Sequence, residues 1–155
     1  MAEGSASIVV KADPAVVWNE IADITRMGDW SPECTAGRWV EPATGPAVGA
    51  LFDGDNEAKV AGITVKRWTT RSEVTACEPG KVFEFVAEHY STWRYDLEPV
   101  DGGTRVTESF SYVSEPSVQT FLYESVLRRP NAMVKGMHHT LGRVKAAVEA
   151  TSPSN

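Results

Sequence analysis

Glu108 is the residue whose type and position could most readily do chemistry. It alternates in phase with Val106, Phe110 and Tyr112, so an extended strand projects all four from one face. A carboxyl group among such neighbours loses hydration, and its pKa rises unless a cation or hydrogen-bond donors stabilise the charge. A group of that kind can act as a general acid or base, or as a polar anchor for a bound molecule. At a sheet rim, or turned outward by a bulge, it would be an ordinary solvated carboxylate. Glu108 is the candidate catalytic residue, with a tyrosine as the alternative proton carrier, and the catalytic role stays open at this level.

The same inward faces carry large rings: Phe52, Trp68, Phe85, Trp93, Tyr95, Phe110 and Tyr112. They also carry polar groups, among them Asn56, Thr70, Ser72 and His89. A dry core has little use for polar groups, because each one buried without a partner costs a few kcal/mol, roughly 1–3. A few polar groups in an apolar concavity are how small-molecule sites are built. A later helix adds Met133, Met137 and Leu141 on one face, with His138 on its flank. Methionine adapts to irregular shapes and aromatics give rigid walls. Trp30, in an early helix-turn region, is placed at the pocket mouth or serves as a plug tying the short helices to the sheet. Each of these aromatics also has the plainer reading of a core residue, and Phe83 and Leu97 are read that way.

Other chemistries lack their signatures. His138 and His139 are adjacent, so at most one faces the sheet, and with His89 they make no metal set. No phosphate-cradling glycine loop, dinucleotide fingerprint or nucleophile elbow occurs. Ser31 and Ser91 have no nucleophile context. Arg128-Arg129 reads as a solvated pair, with a grip on an acidic ligand group as the alternative. Cys34 and Cys77 are far apart and lack metal-ligand spacing; they read as reduced thiols in a cytoplasmic protein.

The elements that must position these residues follow from periodicity. Residues 6–11 form a β-branched strand. Asp13-Pro14 then starts a helix, with Asp13 as N-cap and Pro14 in the first helical position. Residues 26–32 form a second short helix or turn. Strands are expected over 37–41, 49–54, 64–76, 82–89, 92–98 and 104–113, the last two joined by an Asp101-Gly102-Gly103 hairpin turn. A helical region over about 117–129 precedes a long amphipathic helix over 130–150, in which Met133, Met137, Leu141, Val144 and Val148 recur at helical spacing. One polar and one apolar strand face imply an antiparallel sheet covered on one side: an α+β, two-layer architecture.

Composition sets the frame. The 155 residues suit one domain, with its core over about 6–150. The formal charge of −6 argues against nucleic acid, whose phosphates need a basic stripe. No apolar run approaches the roughly 20 residues of a membrane span, and no signal peptide is visible.

Several short words carry a resemblance in their order and spacing: Gly49-Ala50-Leu51-Phe52-Asp53-Gly54-Asp55-Asn56, Arg67-Trp68, Val74-Thr75-Ala76-Cys77-Glu78-Pro79, Trp93-Arg94-Tyr95, Gly102-Gly103-Thr104-Arg105-Val106-Thr107-Glu108 and Gly136-Met137-His138-His139-Thr140-Leu141. The chain resembles the polyketide cyclase/dehydrase-like branch of the START-related (SRPBCC) superfamily. The resemblance implies a helix-grip fold, as in pollen allergens. In that fold a curved antiparallel sheet wraps a long C-terminal helix, with two short helices after the first strand. It also implies a cavity that binds an apolar or aromatic small molecule, such as a polyketide or lipid. Three functions follow as expectations: a binding or transport protein, a cofactor-independent cyclase or dehydratase using the same cavity, and a co-chaperone-like interaction domain with the cavity collapsed. No cofactor, metal, nucleic acid or integral membrane association is expected, and the state is monomer or homodimer.

Overall fold

The computed structural model of the chain describes residues 2–31, 34–88, 91–112 and 129–151. Among these residues, seven strands form one curved antiparallel sheet. β1 (Ala2–Val10) leads into α1 (Pro14–Ala22), a 3-10 turn (Ile24–Arg26) and α2 (Met27–Trp30). Then come β2 (Cys34–Trp39), β3 (Leu51–Val60), β4 (Ile63–Glu78), β5 (Val82–Ala87), β6 (Ser91–Val100), β7 (Gly103–Tyr112) and α3 (Arg129–Thr151). The order across the sheet is β1-β7-β6-β5-β4-β3-β2. The short helices carry the chain from one edge to the other, and the meander brings β7 back beside β1. The expected helical region over 117–129 lies outside the described residues except for Arg129, which opens α3.

Two boundaries differ instructively from expectation. β1 begins at Ala2 rather than residue 6, because Ala2–Ser5 pair with Ser109–Tyr112. Pairing with a partner strand outweighs the poor strand propensity of glycine and serine. β3 runs on to Val60 instead of ending at Gly54, because β4 pairs with it as far as Val60↔Ile63. The connecting turn, Ala61-Gly62, holds both residues at positive φ, 53° and 82°. This is the primed hairpin geometry, made without the Asn or Asp that would have announced it.

Pro14 occupies the first turn of α1, but the Asp13 side chain makes no capping hydrogen bond. Its backbone carbonyl accepts from Val16 and Val17 instead. α1 buries Val17, Trp18, Ile21 and Ala22. Trp18 Nε1 donates to the Val82 carbonyl at 2.8 Å, and its ring stands edge-on to Phe83.

α3 lies across β1 and touches β7, α1 and α2. Met137, Leu141, Val144 and Val148 are its buried stripe. Polar contacts fix its far end: Lys145 Nζ donates to the Val9 carbonyl at 3.0 Å, and the Lys11 amide donates to Glu149 Oε2 at 3.1 Å. Near its start the approach is closer. A Cβ added at Gly4 would sit 2.8 Å from Val134 Cγ2 and 2.9 Å from Phe110 Cε1.

Candidate functional site

The register aligns the inward residues in rungs across the sheet. One rung runs Val74, Phe85, Trp93, Phe110, Gly4, and the next runs Phe83, Tyr95, Glu108, Ala6. On the β3–β5 side the rings pack edge to face: Phe52 and Phe85 lie 5.0 Å apart at 74°, and Trp39 closes on Phe52 at 5.7 Å. On the other side Trp93 tilts over Phe110 at 5.6 Å. The β1 ends of both rungs are small residues, Gly4 and Ala6. At Gly4 the place a side chain would take is filled by Val134 of α3 and by the Phe110 ring.

Glu108 sits in the middle of this face at 2% exposure. Tyr95 lies directly opposite on β6, and its hydroxyl donates to Glu108 Oε1 at 3.0 Å. Among the described residues, Glu108 Oε2 is buried and has no hydrogen-bond partner. Burial pushes the Glu108 pKa up to about 8, against the opposing pull of the Tyr95 hydrogen bond. The Tyr95 hydroxyl is likewise held well above its ordinary range, by burial first and then by Glu108. Near neutral pH the pair is therefore uncharged. Tyr95 donates to Oε1, and among the described residues nothing accepts from the Oε2 hydroxyl. Trp30 Nε1 is a second buried donor without a partner among the described residues. An orphaned buried donor costs about 1–3 kcal/mol, so an acceptor brought by a guest would be welcome at either one.

The other expected site residues fall into distinct settings. Phe52, Phe85, Phe110, Met137 and Leu141 are buried, and Trp93 is partly buried. Asn56 Nδ2 is taken up locally, by the Gly54 carbonyl at 3.1 Å and Thr70 Oγ1 at 3.2 Å. Trp68 was expected on the cavity wall, yet it lies in the outer half of β4, beneath Lys66. It lines an open surface hollow of about 380 Å³ with Asn56, Thr35, Asp55, Glu57, Arg67 and Thr69. His138 was placed on the flank of the inner helix face, but it is exposed. Met137 and Leu141 define the inward line of α3, and one residue further round points to solvent. His89 lies outside the described residues, as do the side chains of Tyr112 and Met133.

Two features of the site went unread in the sequence. Thr140 is buried on α3 between Met137 and Leu141, and its helical spacing from Met137 could have shown it. Gly4 gave no signal until β1 was seen to reach it, since the expected strand starts at Ala6. Among the described residues, no grouping of His, Cys, Asp and Glu could hold a metal ion. No described helix is long and apolar enough to cross a membrane.

A family model described as polyketide cyclase/dehydrase and lipid transport matches residues 1–149. The solution structure of a polyketide cyclase-like protein from Corynebacterium glutamicum is 33% identical, with TM-score 0.65, covering 96% of this chain and 91% of that one. An AHSA1-like protein from Aeromonas hydrophila is 20% identical, with TM-score 0.67, covering 99% of each chain. A Thermus thermophilus protein is similar at 18% identity and TM-score 0.68, covering 97% of this chain and 99% of that one. The last two likenesses concern the fold alone. Among curated proteins, none matches the chain in sequence.

Proposed function

The chain belongs to the polyketide cyclase/dehydrase and lipid transport family, and on that premise we propose that it binds an apolar small molecule bearing a neutral acceptor, such as a carbonyl, between the inner sheet face and α3. The observation that carries this reading is the orphaned Glu108 Oε2, a donor buried in an aromatic interior. Burying about 300 Å² of apolar ligand surface contributes roughly 7 kcal/mol before association costs, so shape and desolvation supply affinity. Glu108, held by Tyr95, supplies orientation. Residues 1–155 act as one binding domain in this proposal. We place it in the cytoplasm because Cys34 and Cys77 are both thiols.

A second reading is favoured by the same carboxyl. A pKa of about 8 lies close to neutral, where a group is most useful for proton transfer, and Tyr95 sits within relay distance. A cyclase or dehydratase would hold a reactive chain in near-attack geometry and move one proton through Glu108.

One experiment addresses both readings. Nile red, a neutral carbonyl-bearing dye, is expected to bind saturably. Glu108→Leu should weaken it about tenfold, the scale of one hydrogen bond to a buried group. Met137→Trp should block it by filling the space. Absence of saturable binding by this and by other neutral apolar dyes would sink the proposal. Incubation with poly-β-ketone chains separates the readings: altered product that disappears in Glu108→Gln supports catalysis, and unaltered substrate supports carriage alone.

A further inference from the structure

The largest exposed apolar side chains of the hairpin region cluster at one point. Val60 is 63% exposed, Ile63 69% and Val65 60%, all within the tip of the β3–β4 hairpin. Val60 and Ile63 face each other across the turn. The turn itself adds no polarity, because Ala61 occupies a positive-φ position where Asn, Asp or Gly would be easier. Lys59, Lys66 and Arg67 flank the tip, and Glu57 is the one acid among them. Glu57 is shared by Arg67 Nε at 3.0 Å and Lys59 Nζ at 3.9 Å, so one acid stands against three cations. The segment is thus locally cationic in a chain whose formal charge is −6. Behind the tip, Lys66 Nζ stands 5.2 Å above the Trp68 ring.

We infer that the β3–β4 hairpin tip is a docking surface for an anionic lipid bilayer. Val60, Ile63 and Val65 enter the acyl boundary, while Lys59, Lys66 and Arg67 meet the phosphates. An apolar end collared by cations, with an aromatic just behind, is the arrangement of an interfacial anchor. The charge pattern argues against a second copy of the chain as occupant. Two tips brought together would oppose like charges. Three side chains also fall far short of the roughly 800 Å² per partner of a stable interface. The hairpin grips the surface without spanning it, and this inference stands independently of what the interior binds.

Co-sedimentation with vesicles tests it. The protein is expected to pellet with phosphatidylcholine vesicles containing one-third phosphatidylglycerol. Binding should fall at least tenfold on pure phosphatidylcholine, and likewise in about 0.5 M NaCl, where screening shortens the field. Val60→Ser, Ile63→Ser and Val65→Ser combined should cost at least tenfold, with Nile red binding and circular dichroism unaltered because all three side chains are already in water. Lys59→Gln and Lys66→Gln should each cost about fivefold. Unchanged vesicle binding by the triple serine variant would overturn the inference, as would failure of the parent protein to pellet. A parent dimer that the serine changes convert to monomer would overturn it too, reassigning the tip to self-association.

Discussion

Glu108 keeps its proton at neutral pH because the folded chain surrounds a carboxyl with rings and gives it one donor where an ion would need several. The linkage has a definite sign. Its pKa rises from 4.5 to about 8 on folding, so the folded state binds the proton more tightly. The contribution is complete below the unfolded value of 4.5 and is lost as pH climbs through about 8. Between those values stability should fall about tenfold in the folding equilibrium constant per pH unit, from this group alone. Urea titrations at pH 5.5 and 7.5 should show the drop in the parent and a much flatter response in Glu108→Gln. Equal slopes in the two proteins would mean that Glu108 is ionised inside or reaches water. Alternation along β7 was enough to read Glu108 as inward. Its partner was not legible, because Tyr95 meets it only through the β6–β7 register.

At the element scale, β2 presses on the helical segment so closely that two glycines are required. A Cβ at Gly37 would lie 2.2 Å from the Ile24 carbonyl oxygen, and one at Gly28 would lie 2.2 Å from that of Thr35. Backbone cannot swing aside as a side chain can, so Gly37→Ala should cost about 1–3 kcal/mol. Gly142 offers the contrast: it sits within α3, and an added Cβ would meet nothing within 4 Å among the described residues. Gly142→Ala should therefore stabilise by about 1 kcal/mol, the helix-propensity difference. Chemical denaturation of the two variants checks both signs. The order of elements and the inner stripe of α3 were legible because period-2 and period-3.6 patterns record burial directly. The β3–β4 extension was not, because the polar Asp55, Asn56 and Glu57 break the apolar alternation that marks a strand. Its strand character comes from pairing, with Arg38 and Thr69 holding Asp55 and Arg67 holding Glu57 on the polar side.

For the molecule as a whole, the sheet and α3 form one wall and its cover, so a guest between them should stabilise the entire fold. A neutral apolar ligand at about 100 times its Kd should add roughly 3 kcal/mol and raise Tm accordingly. Scanning calorimetry with and without Nile red reads this, and a Tm indifferent to saturating dye would place the dye outside the fold. The amino-acid sequence by itself determined the architecture, since hydrophobic alternation and helical periodicity are local records of which side of each element avoids water. Alternation along β7 also pointed Glu108 toward the aromatic face, and the structure, by burying it, removed the rim and bulge alternatives. Only the tertiary structure decided that, among the described residues, the acid has one partner and one orphaned oxygen, that Trp68 and His138 stand away from the interior, and that three apolar side chains crown a cationic hairpin. Those facts depend on strand register and on how far each strand runs. Register is settled by pairing between residues distant in sequence, where no local pattern can record it.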